Sequence, residues 1–597
     1  MTTILPGTIP LGSVPLVDAL WVLAFVTPVA VALGFAHVPS ARESLSSWAW
    51  TGVLPAGALV LLGDERLRQV EWMLLGTSVE LDRVGRPLLG MAVLLYGLAL
   101  AFVPRSGTER APGLSALLLV CFAANAGVFV AADVVTFYLF FTVMSFVGYA
   151  LVVHDRSASS RRAGRIYLVL AVVGEGAVLA AMLLVTHAGA SRLADVPAAV
   201  AASPYASLVV ALLLVGFGVK AGTVPLHVWL PLAHPAAPTP ASAVLSGVMV
   251  KAGLVGWLRF LPLGETWGEG GAQVAWGTVF IALALLGGFV AVPVGLLQDD
   301  PKVVLAYSSI SQMGFLAVLV GVALASPDIA EACVLAAVVY AVHHGIAKGA
   351  LFLGVQAWDV ERLPRPVVVA VLVVAGMAVA GVPFTSGYVA KYGAKESVAT
   401  TTFPVAGGLP LADVLPWVGL GSALLLVRFG VVMWRRERSQ DRTPLLRAAV
   451  WAGLTVAAVL PVALLARSLG PPQSMPGWVD PQAWWSQSWP ALLGVLLAVV
   501  VARIAARTGL VDSRIAHPRG DVVPPGDVVA VEERVVRAAG RGLGRVTEGA
   551  ARAGGRVRAG LAATPSPLPL VAAIQARIGS WSGSGALLLT LVAVALV

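Results

Sequence analysis

Charge is what this sequence has least of. Only 12% of its 597 residues are Asp, Glu, Lys or Arg, while 58% are apolar. A soluble chain of this length carries about 25% charged residues, so bilayer is the expected solvent for most of this one. Cysteine is nearly absent: Cys121 and Cys333 both lie inside apolar runs. An iron–sulfur cluster needs several thiolates at short spacing, and haem needs a fitting axial ligand set. No nucleotide loop, quinone site or metal cluster is legible either, so no cofactor is expected and any electrons would run in other chains. A basic n-region followed by a cleavage site is missing from the N-terminus, and no removable signal is expected.

What is present is a series of apolar runs of spanning length, roughly 20 residues each. They predict an all-α polytopic membrane protein with about sixteen spans. The first is expected at 15–37 and the later ones at 208–230, 241–261, 330–357, 367–391, 490–506 and 578–597. The net charge of +9 sits mainly as arginine between runs, the pattern of a cytoplasmic loop rather than of a nucleic-acid surface. Basic loops follow the odd-numbered spans, for example at Arg161, Arg162 and Arg165. The positive-inside rule then places the N-terminus outside and the 507–577 segment in the cytoplasm, in the cell's inner membrane. In that segment Val531, Val535, Val546, Val557 and Leu561 recur near helical period, with Arg534, Arg541 and Arg552 on other faces. An amphipathic helix along the membrane surface is expected there, with a flexible basic linker as the alternative.

Lysine is rare as well. The chain holds six: Lys220, Lys251, Lys302, Lys348, Lys391 and Lys395. Exposed positions use arginine, whereas Lys220, Lys251, Lys348 and Lys391 fall within predicted spans. A charge at the bilayer centre costs roughly 2.5–3.5 kcal/mol, so four of them require a reason. Arginine keeps its proton under any biological condition, but a desolvated lysine can release one. These four are therefore expected to handle protons or ions. The alternative, a snorkelling or statically paired lysine, suits Lys391 near a span end better than Lys220 or Lys251.

Histidines and one carboxylate extend the pattern. His344 and Lys348 stand four residues apart on one helical face, with His343 beside them, and His227 and His234 follow Lys220. Imidazole is a natural relay between amines. Glu175 lies well inside a span, and Lys220 is its expected partner. Arg428 is expected to pair statically, and Asp133 to be an ordinary span-edge residue. Pro225 after Lys220 and Pro383 before Lys391 break two spans. Paired breaks in two halves of a transporter point to inverted repeats with the ion path between them.

At these residues the chain resembles a known family, the antiporter-like proton-pumping subunits of respiratory complex I, membrane-bound hydrogenases and Mrp-type cation/proton antiporters. Three stretches carry the resemblance: Lys220-Ala221-Gly222-Thr223-Val224-Pro225-Leu226-His227-Val228-Trp229-Leu230-Pro231 on to Lys251, Asp299-Asp300-Pro301-Lys302 on to Gly314, and His344-Gly345-Ile346-Ala347-Lys348-Gly349. It covers roughly 115–400 well and the flanks loosely. It implies two inverted five-helix repeats among about 14–16 transmembrane helices, followed by an amphipathic segment and a last span. Lys220 looks like the lysine modulated by an acidic partner, with Lys251, His344 and Lys348 as the central relay and Lys391 as the terminal residue. His227, His234 and His343 are possible further members. The whole looks most like the long L-type subunit.

The expected organisation is N-terminal helices over 1–112, a first repeat over 113–261, a second over 275–434, additional helices over 448–506, the lateral segment 507–577 and a last span at 578–597. One departure stands out: Thr142 occupies the place where the family carries a glutamate on its fifth helix, and Glu175 on the next helix is the expected substitute, with loss of the coupling ion pair as the alternative. The implied function is a non-redox, proton-translocating subunit working with other membrane subunits of an NADH-quinone oxidoreductase-like complex. The alternatives are a Mrp-like sodium/proton antiporter subunit, a proton-fed partner of an inorganic-carbon uptake system, and a scaffold that no longer pumps.

Overall fold

The computed structural model describes residues 16–529, apart from 39, 41, 72–75, 104–109, 269–270, 359–363, 404–407, 437–444, 471–474, 511–512, 519–521 and 528. The expected surface helix and the span at 578–597 lie outside the described residues. Among those described, 13 helices are long and apolar enough to cross a membrane. Two more predicted spans are each made of a pair of shorter helices: Ala206–Ala221 with Leu230–Ala236, and Arg365–Ala380 with Ser386–Ser397. Every expected span from 15–37 to 490–506 coincides with one of these helices or pairs. The only sheets among the described residues are two two-stranded antiparallel ribbons.

Helix starts follow local chemistry. Asp300 accepts from the backbone N–H groups of Lys302 and Val303, and Pro301 fills the first helical position where no N–H is needed. Asp133 caps Val134–Val152 through the N–H of Thr136 and also accepts from the N–H of Ser78 at 2.6 Å. It is a structural residue, as expected. Arg259 grips Asp82 through both nitrogens, at 2.5 and 2.8 Å, tying the end of the Lys251 helix to the start of Gly85–Phe102.

Burial is strongly graded, and the gradient positions the site. The most apolar stretch of Pro301–Ala325 is wholly buried and that of Thr239–Phe260 is 94% buried, against 17% for Pro481–Thr508 and 22% for Leu16–Phe35. Close approach of small residues builds this centre, as membrane helices require. A Cβ on Gly314 would stand 2.5 Å from the Ala284 carbonyl of Ala272–Leu296. Helices 239–260, 301–325 and 330–358 therefore meet protein on most sides rather than lipid, and two of them carry the central lysines.

Candidate functional site

Lys220 ends the helix Ala206–Ala221. Gly222 follows in the left-handed conformation (φ 68°), and the chain stays unwound until Leu230. The amine of Lys220 donates to the Ser145 hydroxyl at 2.5 Å and lies 3.4 Å from the Tyr167 hydroxyl. It also sits over the rings of Phe141 and Tyr167, at 5.2 and 5.6 Å from their centres. Glu175 lines the same small cavity as Lys220, Phe141 and Tyr167. Its carboxyl faces Ser145 and Thr142, and its Oε1 is buried with no hydrogen-bond partner. Lys220 and Glu175 thus share one pocket and one hydroxyl neighbour, Ser145, without forming a direct ion pair. The Thr142 hydroxyl, on the adjacent helix, is likewise buried with no hydrogen-bond partner.

Lys251 lies two residues after a π-helical turn, Leu245–Met249. Such a turn widens a helix locally and often marks a functional position. The Lys251 amine reaches the Ser246 carbonyl at 2.8 Å and Nδ1 of His344 at 2.9 Å. Sequence spacing pairs His344 with Lys348 on its own helix, but the hydrogen bond of the imidazole runs to Lys251 on another helix. Lys348 donates instead to the Leu305 carbonyl at 3.1 Å. Lys251, His343, His344 and Lys348 are all fully buried, and Nε2 of each histidine has no partner. No carboxylate touches this group among the described residues.

His343 leads to the second broken helix. Its Nδ1 lies 2.8 Å from the Ser386 hydroxyl, in the first turn of Ser386–Ser397, which also carries Lys391. Lys391 donates to the Ala380 carbonyl at 3.3 Å. Gly381 makes this possible twice over: it adopts φ 87°, and a Cβ there would lie 2.7 Å from Cδ of Lys391. Hydrogen bonds thus join Lys251 to His344 and His343 to the Lys391 helix. They do not link Lys220 to Lys251, nor His344 to Lys348.

The remaining expected residues separate. His234 is buried, stacks on Phe352 at 4.6 Å and has both ring nitrogens unpartnered. His227 meets Asp527 at 3.1 Å. Arg428 pairs with Asp299 at 2.8 Å and with the Gln298 carbonyl at 2.9 Å, a static pair as expected. Sequence reading missed Ser145, Tyr167, Ser386 and Asp527, together with Gln312, which joins Tyr340 at 2.5 Å to Ser422 at 2.8 Å. Hydroxyls and amides in apolar spans are common, and nothing local marks these.

Residues 131–402 match the family described as NADH:quinone oxidoreductase/Mrp antiporter, TM. Hydrogenase-4 component B of Escherichia coli is 27% identical over 51% of this chain and 48% of its own length. NADH-quinone oxidoreductase subunit N of Halorhodospira halophila is 27% identical over 66% of this chain and 82% of its own. The chain spans about a third to a half of the length of the first curated relatives it matches. In fold it is similar to a chain of the Mrp complex from Dietzia sp., with a TM-score of 0.67 over 89% of this chain and 60% of that one, at 22% identity. The stretch that holds Lys220, Lys251, His344, Lys348 and Lys391 is therefore an antiporter-like transmembrane domain of the NADH:quinone oxidoreductase/Mrp antiporter family.

Proposed function

We propose that this chain is a proton-translocating subunit of a multi-subunit membrane complex, moving protons along Lys220, Lys251, His344, Lys348 and Lys391 with Glu175 as acidic partner. The observation that carries the reading is the hydrogen bond between Lys251 and His344 in a fully buried centre that no carboxylate touches among the described residues. A static structural amine would be matched by a carboxylate, because an uncompensated buried charge is costly. An amine facing an imidazole nitrogen can instead share one proton with it. The complex would lie in the inner membrane with the N-terminus outside, and the driving reaction would belong to partner chains.

The test is proton uptake into membrane vesicles containing the intact complex. Lys348→Ala is expected to abolish coupled flux while the complex still assembles. Unchanged flux would remove the relay assignment, and no flux in the wild type with assembly confirmed would favour a scaffold.

A further inference from the structure

The segment after the long helix Pro481–Thr508 folds back onto the first broken helix. The carbonyl of Ala516 accepts from Arg428 at 3.2 Å, and that of Val523 accepts from Gln298 at 3.0 Å. At Gly526 the backbone takes φ 84°, and a Cβ there would stand 2.8 Å from Cδ1 of Leu232. The chain therefore lies directly on the resumed half of the Lys220 helix, and this placement delivers Asp527. Its Oδ2 is 3.1 Å from Nε2 of His227 and 3.0 Å from the Tyr307 hydroxyl, which donates to it. The side chains of His227 and Asp527 are only 8% and 12% exposed, so little water competes for this pair.

Two further observations separate this pair from a simple clamp. On the far side of the imidazole, Nδ1 of His227 is buried with no hydrogen-bond partner, as are both nitrogens of His234. A buried ring nitrogen left unpaired costs free energy and needs a reason. A cleft of about 580 Å³ with charged side chains in its wall reaches Pro525, two residues from Asp527. Among the described residues, Asp299, Asp300, Arg435, Arg436 and His517 are the charged and titratable groups that line it.

Building on the relay reading above, we propose that Asp527 is a proton-loading group, supplied by the C-terminal segment, that feeds His227 from the cleft. A proton from water in the cleft binds Oδ2 of Asp527. It passes to Nε2 of His227, which becomes an imidazolium and regenerates the carboxylate. The proton on Nδ1 then leaves inward, and a turn of the ring presents the bare Nδ1 to Asp527 and Nε2–H to the interior, so that the next proton enters on Nδ1. One proton enters and one leaves for each cycle. Tyr307 positions the carboxylate throughout.

The experiment is proton flux in vesicles carrying the intact complex, with assembly followed on native gels. Asp527→Asn keeps the shape and polarity of the side chain but cannot carry the proton. It is expected to lower flux by about tenfold or more, as for a removed acid–base group, at wild-type assembly. Asp527→Glu is expected to keep much of the flux and to shift its pH profile. Normal flux in Asp527→Asn, with Asp527→Ala losing only assembly, would make the residue a clamp and overturn the proposal. Should Asp527→Asn fail to assemble, an unchanged pH profile in Asp527→Glu would overturn it equally. Lys348→Ala keeps the two readings apart. If it loses flux while Asp527→Asn does not, the loading group alone falls. If Lys348→Ala is silent, the relay falls whatever Asp527 does.

Discussion

The two broken helices use the same backbone device in different surroundings. Each first half ends at a left-handed glycine, Gly222 at φ 68° and Gly381 at φ 87°. Lys220 stands just before its break and Lys391 a few residues after its own. Around Lys220 are a hydroxyl at 2.5 Å, a second hydroxyl, two aromatic faces and Glu175 in the same cavity. Around Lys391 are one backbone carbonyl at 3.3 Å and the space that Gly381 leaves. The second break thus provides a carbonyl and room for its amine, whereas at the first break neighbouring helices supply the hydroxyls, the rings and the nearby carboxyl. On the proposed reading, Lys220 is the tunable site and Lys391 the plain one.

The largest test of that contrast is to remove the plain site. Lys391→Ala is expected to cut proton flux by about 10²-fold, the low end for a positioned proton-transfer group. Lys391→Arg is expected not to restore it, because a guanidinium holds its proton. Normal pumping by the arginine variant would make Lys391 a fixed charge and erase the difference. Next come the glycines, where an alanine costs about 1–2 kcal/mol for the left-handed backbone at either position. Gly381→Ala also displaces the Lys391 stem, so flux should fall beyond the loss of thermal stability. Gly222→Ala meets only the Leu230 side chain, and should lower the melting temperature with flux scaling to the folded fraction.

A smaller effect is expected at the tunable site. Glu175→Gln removes one charge near Lys220, and about tenfold lower flux would follow from ~1.4 kcal/mol of lost interaction. Wild-type flux would show that Lys220 works without that carboxylate, and the contrast between the two breaks would lose its meaning. The smallest effect belongs to the static pair: Asp299→Asn should leave flux within about twofold, since the amide oxygen can still accept from Arg428, which also keeps its hydrogen bonds to the Gln298 and Ala516 carbonyls.

Much of the fold was legible because spans and breaks are local signals. Apolar run length located the helices, although it put the start of Pro481–Thr508 nine residues late. Pro225 and Pro383 marked the two interruptions, although the structure puts each helix end at the glycine just upstream. Charge type pointed to Lys220, Lys251, Lys348 and Lys391, all of which proved buried. The pairings were less legible. Helical spacing placed His344 beside Lys348, whereas the hydrogen bond goes to Lys251, 93 residues earlier in the chain. Glu175 was expected to meet Lys220 directly, but the two share a cavity without an ion pair, and the Lys220 amine donates to Ser145 instead.

The sequence by itself determined that this chain is a multi-pass membrane protein, where its helices begin and break, and which basic residues are too costly to be incidental. These are properties of hydropathy, cap chemistry and residue type, each read within one or two turns of chain. Only the tertiary structure decided which groups touch. Lys251 finds His344 through a π-helical turn, His343 finds Ser386 across the second break, and His227 finds Asp527 from 300 residues away. Those partners depend on close approach of helices through small residues and on where a distant segment folds back, and neither leaves a period or a motif in the sequence around the residues it joins.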